Sequence, residues 1–386
     1  MQTERTMNVN LELKDPAWGK EAVEKIRQIS IDYKQELDDC IKHGTLPYGS
    51  FRELGKQNLI GVVCPEEYGG YGGSAPEYCL VTETIARYGL PSSQAQVQGM
   101  IWLLFWGTPE QKHKYLPGMC DGSLVFSESI SEPGAGSSLK TLQTTARRDG
   151  DDWILNGKKI HINGGAACHV TVVFAMTDEG MTAFLVDTTL PGFRAVVTNP
   201  LGYRLALTAD MYFDDVRVSG SAVLGKPGNA MATFLTTFNI SRLGNASELI
   251  GQARRALSDG ISYAKQRSVG DSKVTDFQGI QWTISDCYSA LYGASVVRDH
   301  AANLVKRGKD HALESSIAKK LAIEAAEQTV NEVFALVGGH GLYWDQPYGQ
   351  ILLDVKTLRV AGGSLEILRN FIGRQILKDE LQKGLV

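Results

Sequence analysis

The middle of the chain, residues 124–228, constrains the fold more than any other feature, because short β-prone runs interrupt an otherwise helical sequence. Val, Ile, Phe, Tyr and Thr recur in runs that are bounded by Gly, Asp and Pro. The runs are residues 153–162, 169–177, 181–187, 193–198 and 211–218. No helix of useful length fits between them, which favours an antiparallel β-barrel or β-sandwich over a βαβ sheet.

The segments on either side show helical periodicity. In residues 316–337, apolar side chains recur every three or four positions and make one apolar stripe. Helices are predicted over residues 21–41, 48–57, 75–88, 94–106, 241–265, 277–306, 316–337 and 351–377. The chain is therefore predicted to be an α+β multidomain protein, with an N-terminal helical domain (1–123), a middle β domain (124–228) and a C-terminal helical bundle (229–386).

Charge and composition exclude several classes of function. The formal net charge is -4, and Lys and Arg are scattered, so no basic face indicates nucleic-acid binding. No apolar run approaches the about 20 residues that span a bilayer, so no membrane insertion is expected. The N-terminus is polar and mixed in charge, unlike a signal or transit peptide, which favours a cytoplasmic location.

The cysteines are far apart, form no metal-ligand spacing, and are predicted to be reduced core thiols. They are Cys40, Cys64, Cys79, Cys120, Cys168 and Cys287.

A loop rich in Gly and Ser opens the β segment. Residues 126–140 read FSESISEPGAGSSLK. Glycines let backbone N–H groups approach a ligand closely, and neighbouring hydroxyls can donate to an electron-rich ring or a phosphate. The alternative is an ordinary surface loop, since Ser, Gly and Pro are common turn residues.

Five motifs in order resemble the acyl-CoA dehydrogenase family over nearly the whole chain. Residues 131–138, SEPGAGSS, resemble the family's TEPGAGSD loop, and residues 157–165, GKKIHINGG, resemble its GxKxWITNGG strand. Residues 208–218 match its TxxxxFxDVxVP run, and residues 263–278 have the spacing of its YAxxRxxFGxxIxxFQ segment. Residues 338–341, GGHG, match its GGxG turn.

The resemblance implies a helical domain, a β-barrel and a C-terminal four-helix bundle, assembled as a homodimer or homotetramer. It also implies FAD, an acyl thioester carried by CoA or by an acyl carrier protein, an electron-transfer partner, and no metal. Cofactor-binding positions carried over from the family are Ile130, Ser131, Gly136, Ser137, His161, Asn163, Arg267, Ala335, Gly338, Gly339, Ser364 and Glu366. Substrate-binding positions carried over in the same way are Ser137, Phe238, Asn239, Ser241 and Arg242.

The sequence departs from the family at the catalytic base. Members place a Glu either in a YEGT segment or on a bundle helix just before the Arg that Arg242 matches. Here the first position is Gly362 and the second is Ser241, so both familiar base positions lack a carboxylate. Histidine is the side chain that most often exchanges protons near neutral pH, which makes His161 a candidate replacement, although a packed structural histidine is an alternative. Glu128 and Glu132 flank the loop, and the resemblance gives Glu132 a structural part.

Other departures lie at the flavin positions that the resemblance implies. His161 stands where Trp is usual, Asn163 where Thr is usual, and Ser138 where Asp is usual.

The first functional hypothesis is an FAD-dependent oxidoreductase acting at the α,β carbons of an acyl thioester, with an unusual base. The alternatives are flavin-dependent hydroxylation, enoyl-thioester reduction or non-oxidative chemistry on the same fold. A non-catalytic subunit that pairs with a catalytic paralogue is a further alternative, from a different class.

Overall fold

The computed structural model describes residues 10–378. The helices are α1 (Pro16–Asp32), α2 (Lys34–His43), α3 (Tyr48–Lys56), α4 (Ala75–Arg87), α5 (Gln94–Trp106), α6 (Pro109–Cys120), α7 (Ala230–Gln266), α8 (Gln278–Lys306), α9 (Ala312–Val337), α10 (Tyr348–Val360) and α11 (Leu365–Ile376). The strands are β1 (Phe126–Ser129), β2 (Thr145–Asp149), β3 (Asp152–Ile162), β4 (Val170–Thr177), β5 (Gly180–Asp187), β6 (Phe193–Val197), β7 (Ala209–Ser219), β8 (Val223–Leu224), β9 (Ser268–Val269) and β10 (Ser272–Lys273).

The middle strands form one eight-stranded sheet in the order β6-β7-β3-β2-β4-β5-β8, with β1 paired to β4. Most neighbours are antiparallel, as predicted, because short turns join strands such as β4 and β5. β1 is an exception and runs parallel to β4, with Glu128 opposite Val172. The two end strands of this order, β6 and β8, are not paired with each other, so the sheet does not close into a barrel. Of the two predicted forms, the chain adopts the sandwich-like one.

The described chain divides into two compact units. One unit contains residues 10–27, 74–90 and 239–378, and the other contains residues 28–73 and 91–238. The sheet lies in the second unit together with α2, α3, α5 and α6, whereas α4 belongs to the unit of the C-terminal helices. The boundaries 1–123, 124–228 and 229–386 stay a prediction.

Close helix packing holds the first unit together. The side chains of α4 from Ala75 to Ala86 are buried on every face of the helix. Two glycines of α7 allow this approach, since a Cβ at Gly244 would overlap the Tyr78 ring and one at Gly251 would overlap the Glu83 carbonyl. α9 then packs against α8, α10 and α11.

Two of the predicted helices are each divided in two by the structure. The helix predicted over residues 21–41 breaks at Tyr33, between α1 and α2. The helix predicted over residues 351–377 breaks at residues 361–364, where Gly362 and Gly363 have positive φ and the Ser364 side chain caps α11. α6 is an additional helix, which begins at a Thr108 capping box.

Candidate functional site

A buried lysine fixes the start of the Gly- and Ser-rich loop. Lys159 of β3 is 0% exposed, and its Nζ donates to the Ile130 carbonyl at 3.0 Å, to the Phe174 carbonyl at 2.7 Å and to Glu132 Oε1 at 2.7 Å. The Ser131 carbonyl accepts from the Ile160 N–H at 2.9 Å. Ile130 and Ser131, both predicted cofactor positions, are thus held against β3 by backbone and ammonium donors.

Glu132 is the carboxylate partner in this cluster. Burial lowers the pKa of Lys159 to about 8, against the opposing pull of Glu132. Burial would raise the pKa of Glu132, but hydrogen bonds from the Gln143 N–H at 2.5 Å, from Lys159 and from the Thr144 N–H at 3.0 Å lower it overall. Glu132 therefore remains a carboxylate that is held by three hydrogen bonds, which agrees with the structural part that the resemblance implies.

The remainder of the loop is open. Gly136 and Ser137 are exposed, and a Cβ built at Gly134 or Gly136 would meet no atom within 4 Å. Packing within the chain therefore does not explain these glycines. The loop backbone at these glycines is accessible to a ligand.

His161 and Asn163 lie at the irregular end of β3. The β3–β7 register shifts between Lys159 and Ile162, and His161 has a φ of 58°. Such a bulge turns a side chain away from the regular alternation of the strand. Both side chains are exposed, and Asn163 Oδ1 accepts from Thr208 Oγ1 at 3.2 Å.

In the other unit, a second buried lysine holds the segment that contains Gly362. Lys319 of α9 is 0% exposed, and its Nζ donates to the carbonyls of Ala361 at 2.5 Å, Gly362 at 3.0 Å and Gly363 at 3.0 Å. Burial, followed by the nearby charge of Arg242, lowers the pKa of Lys319 to about 7.

The two expected base positions, Ser241 and Gly362, contact the same amide. Asn245 Nδ2 donates to the Ser241 carbonyl at 3.0 Å. Gly362 has a φ of +61°, and a Cβ built there would lie 2.6 Å from Asn245 Nδ2. A side chain at position 362 therefore requires both a strained backbone and movement of Asn245.

The predicted substrate positions on α7 differ in their surroundings. Arg242 is buried, and its Nη1 donates to Asn239 Oδ1 and to Ser316 Oγ, each at 2.8 Å. Burial lowers the pKa of Arg242 to about 10. Phe238, in the unit that holds the sheet, packs against Phe234 with ring centroids 4.7 Å apart.

The other predicted cofactor positions in the first unit are spread along α7, α9 and α11. Arg267 is exposed just after α7, and a Cβ at Gly338 or Gly339 would meet nothing within 4 Å. Ser364 caps α11 by accepting from the Ile367 N–H at 3.4 Å. Glu366 is exposed and forms an ion pair with Arg359 at 3.3 Å.

The side-chain types at the predicted cofactor positions are those that a flavin dinucleotide requires. Ser131, Ser137 and Asn163 supply hydroxyl and amide groups of the kind that bind a polar ring edge, and Gly136 leaves the backbone accessible. Arg267 supplies a guanidinium suited to a diphosphate.

Three features were missed by the sequence reasoning. The first two are the buried lysines Lys159 and Lys319, each of which has a second lysine beside it in the sequence, in GKKI and AKKL. In each pair only one lysine is buried. The available signal was periodicity, because Lys319 lies on the same stripe of α9 as Ala322, Ile323 and Ala326. Asn245, which contacts both expected base positions, carried no signal.

The part of the chain that the structure describes contains neither a cluster of metal-ligand side chains nor a membrane-spanning helix. Within residues 10–378, no cluster of three His, Cys, Asp or Glu side chains could hold a metal ion. None of the helices in that range combines the length and the apolar character needed to cross a bilayer.

Comparison with known proteins shows the family. Family models match residues 20–123 (acyl-CoA dehydrogenase, N-terminal domain), residues 127–216 (middle domain) and residues 229–377 (C-terminal domain). An acyl-CoA dehydrogenase of Bacillus subtilis is 32% identical over 346 residues, which covers 87% of this chain and 91% of the relative. A 3-(aryl)acrylate reductase of Clostridium sporogenes is 31% identical over 371 residues, covering 92% and 98%.

The fold agrees with solved structures. A glutaryl-CoA dehydrogenase of Mycobacterium smegmatis in complex with FADH2 superposes with a TM-score of 0.89 at 26% identity, covering 94% of this chain and 95% of that one. Three family models in order, relatives above 30% identity and a shared fold lead to one conclusion: the chain belongs to the acyl-CoA dehydrogenase family, whose members are FAD-binding oxidoreductases.

Proposed function

We propose that the chain is an FAD-dependent oxidoreductase that acts at the α,β carbons of an acyl thioester carried by CoA or by a carrier protein. The observation that carries this proposal is the loop from Ile130 to Ser137, which is fixed at one end by Lys159 and Glu132 and left accessible at the other. A homodimer or homotetramer and an electron-transfer partner are parts of the same proposal.

The residues divide the work in this proposal. When bound, FAD supplies the exchange of a hydride with the β carbon. Ile130 and Ser131 would lie along the ring, with their backbone fixed by Lys159 and Ile160. Asn163 would hydrogen-bond the ring edge, and Arg267, Gly338 and Gly339 would hold the diphosphate and adenosine parts. Ser137, Phe238, Asn239, Ser241 and Arg242 would line the thioester.

Reduction of an enoyl thioester is the second candidate. It is favoured by the similarity to a relative named as a 3-(aryl)acrylate reductase, and by Gly362 and Ser241 at the two positions where dehydrogenases of the family carry a base. In this direction the protein has to deliver a proton to the α carbon instead of removing one.

The absorbance spectrum of the purified protein, before and after reconstitution with FAD, tests the common part of both candidates. A flavin spectrum supports them, and a colourless protein that cannot be reconstituted contradicts both and favours a non-catalytic subunit. Bleaching by a saturated acyl thioester without oxygen indicates dehydrogenation. Reoxidation of the reduced protein by an enoyl thioester, without such bleaching, indicates reduction.

A matched pair of variants tests the loop. Gly136→Leu should weaken FAD binding about tenfold or more, the equivalent of roughly 1.4 kcal/mol, because the added side chain occupies the ligand's approach. Gly279→Leu is the control, since a Cβ at that glycine of α8 also meets nothing within 4 Å. Equal FAD affinity in the two variants would remove the loop from the proposed site.

A further inference from the structure

One carboxylate beside the loop, Glu128, has a buried oxygen without a hydrogen-bond partner among residues 10–378. Glu128 lies on β1, two residues before Ile130. Glu128 as a whole is partly exposed. Its Oε2 atom, however, is shielded from solvent and accepts no hydrogen bond from residues 10–378. Buried polar atoms are almost always paired, so an unpaired carboxylate oxygen requires an explanation.

Strand geometry shows which way Glu128 points. Ser127 Oγ donates to Cys168 Sγ at 3.1 Å, and Ser129 Oγ lies 2.7 Å from Thr171 Oγ1, so these side chains share one face of β1. Side chains alternate along a strand, and Phe126 therefore lies on the other face with Glu128. A Cβ at Gly99 would overlap the Phe126 ring, which places α5 over that face.

The surroundings of Glu128 contain little charge. α5 has no Asp, Glu, Lys, Arg or His, and neither has the adjoining strand β4. The ammonium group of Lys159, from β3, is committed to Glu132 and to the carbonyls of Ile130 and Phe174. Burial alone raises the pKa of Glu128 to about 7, so the carboxyl group can hold or release a proton near neutrality.

We propose that Glu128 is the residue that exchanges a proton with the α carbon of the thioester, an inference that rests on the proposed function. In dehydrogenation the carboxylate takes the α proton. The electron pair of the broken C–H bond forms the α,β double bond as a hydride leaves the β carbon for the flavin. In reduction the protonated carboxyl gives its proton to the α carbon as a hydride from reduced flavin reaches the β carbon.

The neighbouring candidates suit this role less well. Glu132 is held as a carboxylate by an ammonium and two backbone N–H groups, and these contacts lower its pKa, which makes it a weak acceptor for a substrate proton. His161 is exposed at a bulge, where water competes for its ring nitrogens. Glu128 combines a buried oxygen with a position beside the loop.

Proton exchange at the α carbon is the most direct test, because it does not require net turnover. The FAD-loaded protein is incubated with a saturated acyl thioester in D2O, and deuterium in the thioester is measured by mass spectrometry. Glu128→Gln should lower the exchange rate roughly 10²- to 10⁴-fold, the usual contribution of a general base. Glu128→Asp should retain part of it, and Glu179→Gln, an exposed residue paired with Arg148, should match the wild type.

A spectroscopic readout independent of exchange accompanies this test. The infrared carbonyl band of a protonated carboxylic acid, taken as wild type minus Glu128→Gln, should titrate near neutral pH. Wild-type exchange in a Glu128→Gln protein that retains FAD would overturn the assignment and leave the proposed function standing. A wild-type protein that takes up no FAD would overturn the proposed function and this inference with it.

Discussion

Two fully buried lysines hold the two segments on which the proposed site depends, and they do so differently. Lys159 donates to a carboxylate, Glu132, as well as to two carbonyls. Lys319 donates to three consecutive carbonyls at the end of α10. Helix C-termini attract cations, but carbonyl dipoles replace only part of the hydration that a buried ammonium loses.

The two lysines differ in whether a carboxylate balances the buried charge. Lys159 and Glu132 form a buried ion pair, in which each charge requires the other, and the pKa of Lys159 falls only to about 8. Lys319 has Arg242 as its charged neighbour, and its pKa falls to about 7. The contacts of Lys159 therefore depend on its positive charge, because Glu132 is its counter-ion. Lys319 can donate its hydrogen bonds to the carbonyls without a charge, and keeping it charged at neutral pH costs free energy.

The largest expected effect follows from breaking the ion pair. Lys159→Met should lower the free energy of unfolding by about 3–5 kcal/mol, because it leaves Glu132 buried without its counter-charge. Lys158→Met is the matched control, since the adjacent lysine is 37% exposed and pairs with Asp210 where solvent screens the interaction, so its loss should change stability little. Denaturant unfolding measures both, and equal losses would contradict the assigned importance of the pair.

The contribution of Lys319 to folding stability should depend on pH. Its folded pKa of about 7 lies below the ordinary value of 10.5, so between these values the unfolded chain binds a proton that the folded chain does not. Wild-type stability should therefore rise with pH in this range. The stability of the wild type relative to Lys319→Met should increase by about 2–3 kcal/mol from pH 7 to pH 9.

Unfolding curves at several pH values measure this difference, with Lys320→Met as the control. Lys320 is partly exposed and pairs with Glu324 on the surface of α9. A wild-type curve parallel to that of Lys319→Met would mean that Lys319 stays charged, and the contrast between the two lysines would then disappear.

A glycine substitution tests how tightly Lys319 and Asn245 confine the Gly362 segment. Gly362→Ala adds strain at a positive φ and an overlap with Asn245, which together should cost about 2–3 kcal/mol. Gly69→Ala, at a left-handed φ of +84° and ψ of 13° with nothing within 4 Å, carries the strain alone and should cost about 1–2 kcal/mol. Equal losses of unfolding free energy would show that the Asn245 side chain moves away from the added methyl group at no cost in stability.

Sequence periodicity recovered much of the fold. α5 was predicted with the bounds that the structure gives, and the predicted strands correspond to β3 through β7, because apolar spacing and turn residues carry that information locally. The break between α10 and α11 was missed because residues 351–377 continue the apolar pattern across Gly362. The association of α4 with the C-terminal helices was also missed, since it depends on non-local contacts through Gly244 and Gly251.

The candidate site was predictable only where it matches family motifs. The residue types alone identified the loop at Ser131 and the replacement of the usual Glu by Ser241 and Gly362. The burial of Lys159 and Lys319 was not, because lysine is normally read as a surface residue and each has an exposed lysine beside it. The unpaired state of Glu128 Oε2 becomes apparent only in three dimensions, because it depends on the absence of charged side chains from α5 and β4.

The smallest expected effect applies the same comparison to two carboxylates, Glu128 and Glu132. The folded pKa of Glu128, about 7, lies above its ordinary value of 4.5, so its contribution to stability is complete below pH 4.5 and is lost as pH rises through 7. Relative to Glu128→Gln, the wild type should therefore lose roughly 1–2 kcal/mol between pH 5 and pH 8, less than the full shift because the residue is partly exposed.

Glu132→Gln should show the opposite sign at lower pH. The pKa of Glu132 is lowered in the folded state, so its contribution is complete above its ordinary pKa of 4.5 and is lost as pH falls below that value. Thermal unfolding of the wild type and both variants, from acid pH below the ordinary pKa of Glu132 up to neutral pH and above, measures the two slopes, with Glu179→Gln as an exposed reference. Slopes of the same sign would mean that Glu128 is paired as Glu132 is. In that case Glu128 would stay ionised and could not alternate between proton donor and acceptor at neutral pH.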